Sequence, residues 1–236
     1  MHTETVTWPT PFNALVVGAS GAIGGAFVRA LQRLPGAAEV VAVSRASHPG
    51  FDLKDADSIA RLAEVLRPQG PFHWIVDATG ALTIEGVGPE KALSALDATA
   101  LHQAFAINTI GPALLLRHLS GLLAKGDAMY AKLSARVGSI ADNRKGGWYG
   151  YRAAKAAMNM MLQTAAIELQ RRNPQLRVVA LQPGTVRSRL SAPFQAGVPE
   201  LLEPDTSVAA LVQAMRALST KPGAHFIDHR GEPIPW

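Results

Sequence analysis

The apolar run Asn13-Ala14-Leu15-Val16-Val17 passes directly into Gly18-Ala19-Ser20-Gly21-Ala22-Ile23-Gly24-Gly25, after which Ile23, Phe27, Ala30, Leu31 and Leu34 recur at helical spacing until Pro35-Gly36. A buried strand that must turn through glycines straight into a helix constrains this chain more than any other feature. Such a turn needs backbone free of side chains, and it leaves the first amides of the helix without intrahelical partners. The same alternation then repeats. Glu39–Val43 reads as a strand and Ala56–Leu66 as a helix, with Ile59, Leu62, Ala63 and Leu66 on one side. Phe72–Val76 is the next strand, followed by helical material from Asp97 to Leu123 that is bent or interrupted near Gly111-Pro112. Ala128–Ser134 is a further strand. Tyr151–Arg172 is a helix closed by Asn173-Pro174, and Arg177–Leu181 is a strand running into Pro183-Gly184. A helix over Ser207–Leu218 and a strand at His225-Phe226-Ile227 complete the chain. Strands alternating with helices predict an α/β fold, a doubly wound parallel sheet covered on both faces. No repeat, low-complexity tract or linker divides residues 1–236, so one domain is expected.

Composition removes several classes of function. Apolar residues make up 48% and charged residues 17%, enough for a continuous core and too little charge for a disordered chain. Cysteine is absent, which excludes disulfide scaffolds, thiol nucleophiles and cysteine-ligated metal, and fits a reducing, cytoplasmic compartment. No apolar run approaches the ~18 residues of a membrane span. Ala14–Val17 is too short for a signal-peptide core and has no lysine or arginine before it. The net charge of +5 is scattered along the chain, and aromatics are only 6%, so nucleic acid is not an expected partner. His225 and His229 flank Asp228, but residues four apart on a strand are too distant for one ion, and no metal is expected. Met158, Met160 and Met161 read as core filler on their helix.

Gly18, Gly21 and Gly24, set between first strand and first helix, suit a dinucleotide pyrophosphate held by backbone amides at a helix N-terminus. The segment resembles the cofactor turn of the short-chain dehydrogenases/reductases, which implies a Rossmann-type sheet of about seven strands. By that resemblance Gly18, Ser20, Gly21, Ala22, Ile23 and Gly24 bind the cofactor. Departures exist: Ala22 stands where the family has its middle glycine, and Gly21 comes one place earlier, a spacing shared with the epimerase-like branch. The second strand ends Ser44-Arg45, a hydroxyl and a guanidinium suited to a 2′-phosphate, whereas Glu39 begins that strand and is poorly placed for ribose. NADP is therefore expected over NAD. Asp52-Leu53 resembles the family's adenine-contacting pair. Only six residues separate Arg45 from Asp52, so the third strand is expected to be very short or missing. Asp77-Ala78-Thr79-Gly80 stands where the family carries Asn-Asn-Ala-Gly, and Ala78, Thr79 and Gly80 are expected to shape the adenosine pocket.

Tyr151-Arg152-Ala153-Ala154-Lys155 puts a phenol and an ammonium on one helix face. A nearby cation favours phenolate and is expected to lower the tyrosine pKa, equipping Tyr151 to exchange a proton with a carbonyl oxygen while Lys155 also meets the nicotinamide ribose. The family's serine, which holds the substrate oxygen, commonly lies thirteen residues before the tyrosine, which here is Gly138. Ser139 is one residue away and is preferred to Ser134, seventeen back; a three-residue insertion in the loop would instead put Ala135 at that position. Asn108, in Ala104–Pro112, resembles the asparagine that bends its helix and holds a relay water. Pro183-Gly184-Thr185-Val186-Arg187-Ser188 resembles the turn that holds the nicotinamide carboxamide, with Pro183, Gly184, Val186 and Ser188 at the matching positions.

Leu133–Ile140, Gly146–Arg152 and Asp228–Trp236 are similar to the C-factor group, relatives of the sniffer-type carbonyl reductases. Only about fifty residues follow Pro183-Gly184, too few for the larger substrate domain of the epimerase-like branch. The resemblance implies a homodimer or homotetramer packed through two long helices. Trp148, Tyr149, Pro193, Phe194 and Val198 are expected to line an apolar pocket for a small carbonyl or alcohol substrate, with residues 188–206 as a lid. Two functions are compatible with these residues: an NADP-dependent oxidoreductase, or a dinucleotide-binding signalling protein of the C-factor type.

Overall fold

The computed structural model describes residues 8–236. Six strands, β1 (Phe12–Val17), β2 (Ala37–Val43), β3 (Trp74–Asp77), β4 (Ala128–Leu133), β5 (Leu176–Gln182) and β6 (His225–Asp228), form one sheet in the order β2-β1-β3-β4-β5-β6. Every neighbouring pair is parallel. Helices α1 (Ala22–Gln32), α2 (Ala56–Leu66), α3 (Ala98–Phe105), α4 (Gly111–Leu119), α5 (Tyr149–Gln170) and α6 (Pro204–Arg216) cover both faces. Strand side chains alternate accordingly. Leu15, Ile75, Tyr130 and Val178 pack towards α2, α4 and α5, while Val16, Val76, Met129 and Val179 pack towards α1 and α6. The sheet is therefore doubly wound, as the alternation of elements dictates.

The strand number corrects the expectation of about seven. Among the described residues there are six, and the third strand of the family pattern is absent. The chain between Val43 and Asp55, the N-cap of α2, is consumed by turns: Ser44 and Ser47 hydrogen-bond one another's backbone amides, and Ser58 Oγ donates to the carbonyls of Asp52 and Asp55. No residues are left over to add a ladder.

The interruption expected near Gly111-Pro112 is a π-helical turn, Ala106–Ile110, between α3 and α4. Pro112, in the first turn of α4, cannot donate to an intrahelical bond, so the helix re-registers there at little cost. The methionines of α5 separate: Met158 is fully buried, but Met160 and Met161 are 65% and 47% exposed, which corrects their assignment to the core. Two residues of helix rotate a side chain by ~200°, so the three cannot share a face. Among the described residues no helix is long and apolar enough to cross a membrane.

From β1 the chain crosses to β2 on one side and then to β3 on the other. That reversal opens a crevice at the carboxyl ends of β1 and β3, where ligands bind in sheets of this kind.

Candidate active site

The glycine turn forms one wall of this crevice. At Gly24 a methyl group would lie 2.8 Å from the Gly18 carbonyl carbon, so only glycine lets α1 close onto the end of β1. Gly18 has φ +88°, and a methyl there would lie 3.0 Å from the Ala78 carbonyl carbon, which brings the turn against the loop after β3. Ser20, Gly21 and Ala22 are exposed and Ile23 is half-buried at the start of α1. Gly21, the N-cap, makes no side-chain cap, and the first turn holds no acidic residue. The opening amides of α1 and the positive end of its dipole thus face the crevice without a competing anion. Both the chemistry and the steric closure fit a pyrophosphate. At the end of β2, Ser44 is half-buried and Arg45 exposed, with no ion pair to Arg45 among the described residues. Asp52 accepts from the Lys54 amide and Leu53 packs against Gly111 at the start of α4, which lines the far side of the same end of the sheet.

The loop after β3 is clamped from three directions. Asp77 is fully buried, and its Oδ1 accepts from the Thr79 amide at 2.9 Å and the Thr79 hydroxyl at 2.5 Å. Lys132, fully buried on β4, donates to Thr79 O at 2.6 Å and pairs with Asp77 Oδ1 at 3.0 Å. From the π turn, buried Asn108 grips the backbone of Ala81: its Oδ1 accepts from Ala81 N at 3.0 Å, and its Nδ2 donates to Ala81 O at 2.9 Å and to Ala104 O at 3.1 Å. Asn108 therefore bends its helix and braces the loop at once. Ala78, Thr79 and Gly80 lie between these clamps.

Helix α5 supplies the titratable pair. Tyr151 sits in its first turn and Lys155 one turn on, with Nζ 5.5 Å from the phenol ring centroid. Lys155 is buried, donates to Leu133 O at 3.1 Å, and lies 3.4 Å from where a Cβ on Gly80 would be. The pair thus reaches the same crevice as the glycine turn. Burial lowers the Lys155 pKa to about 7, aided by Lys132 and opposed by Asp77. Burial also pushes the Tyr151 pKa up. The sign expected from the sequence was the reverse. Desolvation of the anion outweighs a partner that burial itself leaves only about half charged at neutrality.

The first turn of α5 is fixed by residues that spacing alone did not single out. Trp148 adopts a left-handed conformation, φ 55°, ψ 43°, which costs ~1–2 kcal/mol for a residue with a side chain. Its amide donates to Glu90 O at 2.5 Å, and the Glu90 carboxylate accepts from Gly150 N at 3.0 Å. Arg152 donates to Gly146 O and Gly147 O. Held in this way, the Trp148 ring meets Tyr151 edge-on at 6.3 Å and Phe194 at 5.1 Å, so the 188–206 segment reaches the phenol's neighbour Trp148. That segment is tied down by Leu202, whose backbone bonds Thr185 and Arg187, and by the ion pairs Arg187–Glu203 and Arg230–Glu200. Tyr149 is exposed.

The two serines are placed differently. Ser134 Oγ, at the end of β4, donates to Asn159 Oδ1 at 2.6 Å, one turn beyond Lys155. Ser139 is buried after a short 3-10 turn, Arg136–Gly138, and its Oγ accepts from Asp142 N at 3.0 Å. Gly138 packs directly on Lys155 and Asn159, which brings the whole loop against α5. After β5, Pro183 O accepts from buried Ser207, Gly184 has φ +77° and abuts the His229 ring, Val186 is buried, and the Ser188 hydroxyl lies 3.1 Å from that of Ser191. The turn therefore edges the crevice on the β5 side.

The Asp77–Lys132 pair escaped the sequence reading. Its signal was present: a lysine inside Ala128–Leu133, a strand buried along its whole length, cannot remain unpartnered.

Comparison with known proteins agrees with this geometry. Residues 13–198 match the short chain dehydrogenase family. The chain is 28% identical over 200 residues to 1-hydroxy-2-glutathionyl-2-methyl-3-butene dehydrogenase of a Rhodococcus strain, covering 84% of each protein. It is 32% identical over 168 residues to the C-signal protein of Myxococcus xanthus, covering 71% of this chain and 94% of that one. Among solved structures, a Burkholderia multivorans protein described as a short-chain dehydrogenase/reductase with bound NADP superposes with a TM-score of 0.79 at 26% identity, over 97% of this chain and all of that one. With its glycine turn, its clamped loop and its Tyr151–Lys155 pair gathered at one end of a doubly wound sheet, the chain belongs to the short-chain dehydrogenase/reductase family.

Proposed function

We propose that the protein is an NADP-dependent oxidoreductase that reduces a small carbonyl compound to its alcohol, with Tyr151 as the proton donor. The observation that carries this reading is the convergence of Tyr151 and Lys155 with Gly80 and the glycine turn at the mouth of one crevice. The residues present suit the cofactor. The open N-terminus of α1 would hold the pyrophosphate, Ser44 and Arg45 the 2′-phosphate, Asp52 and Leu53 the adenine, and Ala78–Gly80 the adenosine floor. Pro183, Gly184, Val186 and Ser188 would hold the carboxamide end. When bound, the nicotinamide supplies a hydride to the carbonyl carbon.

The remaining steps belong to the protein. Tyr151, kept protonated by burial, gives its hydroxyl proton to the carbonyl oxygen as negative charge develops there. Lys155, when cationic, steadies the phenolate left behind, and its bond to Leu133 O fixes where that charge sits. Ser139 or Ser134 would orient the substrate oxygen, with Ser139 preferred. Asn108 keeps the loop in place through Ala81. Trp148, packed edge-on to the phenol and backed by Phe194, gives the site an apolar wall that favours a substrate with an apolar body. The similarity to a dehydrogenase of a hydroxylated compound is consistent with a carbonyl/alcohol couple. Absence of cysteine suits a cytoplasmic enzyme.

A second reading is favoured by the similarity to C-signal and by Ala135, a residue without a hydroxyl where an inserted loop would place the family serine. In that reading the protein binds the dinucleotide and signals without turnover. Purified protein tested with NADPH on a panel of aldehydes and ketones separates the two. Consumption of NADPH with stoichiometric alcohol supports the reductase, whereas tight NADPH binding with no turnover on any carbonyl supports the signalling protein. Arg45→Ala is expected to weaken NADPH binding at least about tenfold and NADH binding little, since a guanidinium–phosphate pair is worth ~1.5–3 kcal/mol. Equal losses for both cofactors would remove Arg45 from the 2′-phosphate site.

A further inference from the structure

The crevice floor contains two charges that the proton transfer does not use. Asp77 and Lys132 are both fully buried and lie 3.0 Å apart. Such a pair costs more desolvation than a hydrophobic pair of the same volume would, so its presence under an active site invites a reason. Its bonds supply one. Thr79 offers an amide, a hydroxyl and a carbonyl, and all three are taken by these two side chains. The next residue, Gly80, is the one against which Lys155 Nζ rests, and Lys155 bonds the carbonyl of Leu133, the residue after Lys132. The pair and the catalytic lysine are therefore mounted on the same two pieces of backbone.

We propose that Asp77 and Lys132 are positioning residues for the reaction: together they fix the Thr79–Gly80 backbone beside Lys155, and their opposed charges set the field in which Lys155 works. This inference rests on the reading of Tyr151 and Lys155 as the proton-transfer pair. The groups that face Lys155 are few. Its own helix contributes Tyr151, β3 contributes Asp77, and β4 contributes Lys132 and, farther along the same face, Tyr130, whose phenol is kept neutral by burial and by Asp77. The π turn offers only neutral Asn108 and Thr109, and the 3-10 turn meets Lys155 through Gly138, with Arg136 engaged to Asp142 and Asp228. Lys132 is a like charge to Lys155 and disfavours its cation; Asp77 favours it. The two members of the pair therefore act on Lys155 in opposite directions, and a scaffold role alone has no such sign.

The test uses Asp77→Asn, Lys132→Met and the double variant, in cofactor-free protein labelled with 13C at lysine Cε, with the Lys155 resonance assigned by its loss in Lys155→Met. Asp77→Asn keeps an oxygen for the Thr79 amide and is nearly isosteric. Its Lys155 titration midpoint is expected to move to lower pH by about one unit or more, and that of Lys132→Met to higher pH by a similar amount, as unit charges within about 10 Å in a medium of effective dielectric about 20 require. The double variant is expected to lie between them. Should Lys132→Met fail to fold, return of the double variant towards the wild-type midpoint from that of Asp77→Asn gives the same answer. Midpoints that do not move, or that move in one direction in both single variants, overturn the electrostatic role. The alkaline limb of the pH–rate profile for carbonyl reduction is expected to follow the same order. Opposed midpoints with an unshifted limb would overturn the assignment to catalysis, a result distinct from an active Tyr151→Phe, which would instead remove the parent reading.

Discussion

At Tyr151 burial holds the phenol in its protonated form, so the proton that the proposed reduction calls for is present throughout the ordinary pH range. The titrating partner is Lys155, whose pKa is lowered to about 7. Its cation is present below that value and lost above it. Accordingly kcat/KM for carbonyl reduction is expected to be level below about pH 7 and to fall towards tenfold per pH unit above it, in a profile of initial rates measured at saturating NADPH with carbonyl well below KM. A profile that instead rises through pH 7 would mean that neutral Lys155 is the active form. The sequence spacing of Tyr151 and Lys155 was enough to locate the pair, because residues four apart on a helix must share a face. It could not supply the sign of the tyrosine shift, since that depends on how much water surrounds the hydroxyl, which no spacing encodes. For Asp77 the reason is different: its partner Lys132 is distant in sequence and becomes a neighbour only when β3 and β4 pair, with Asp77 opposite Lys132 in register.

The elements behave as their sequences direct wherever one local rule dominates. The glycine turn, the buried strands and the closing Asn173-Pro174 are examples. Where tertiary contacts decide, the sequence at most marked a place, as with the bend near Gly111-Pro112 and Asn108, and did not give the partners that cause it. The π turn arises because Asn108 must meet Ala81 across the crevice, and the left-handed Trp148 persists because Glu90 and Arg152 hold the chain on either side. At the far edge of the sheet, β6 carries His225, mostly buried, whose Nε2 lies 3.1 Å from Ser219 O and whose pKa is lowered to about 4 by burial first and by Lys221 second. In the unfolded chain the imidazole returns to its ordinary value near 6.5. The unfolded state then binds more protons between about pH 4 and 6.5, so stability is full above that window and is lost as pH falls through it. Urea unfolding at a series of pH values is expected to show this slope in the wild type and a shallower one in His225→Gln. Identical slopes would show that His225 does not titrate on unfolding.

The whole molecule exposes apolar side chains on the helices beside the site. Met160 and Met161 on α5, Ile167 farther along it, and Ile110 before α4 are each at least 47% exposed. If these side chains seat against a second copy of the chain, as the homo-oligomer expected from the sequence requires, Met160→Lys with Met161→Lys would lower the mass seen in sedimentation equilibrium, with the fold retained because both side chains are exposed. A wild-type monomer at micromolar concentration would contradict this. The doubly wound architecture was legible because alternating elements leave few topologies, and the loss of the third strand was foreshadowed by the short stretch from Arg45 to Asp52. Within the 188–206 segment, the aromatic contact of Phe194 with Trp148 required the coordinates. The central claim is that Tyr151 protonates a carbonyl beside a bound nicotinamide. It is tested most directly by mixing the preformed enzyme–NADPH complex, deuterated at the transferring position, with a reducible carbonyl in a single turnover. The account predicts deuterium in the alcohol carbon with wild-type protein, and for Tyr151→Phe unchanged NADPH affinity with transfer slowed by about 10²–10⁴-fold. Transfer at the wild-type rate in Tyr151→Phe would contradict it.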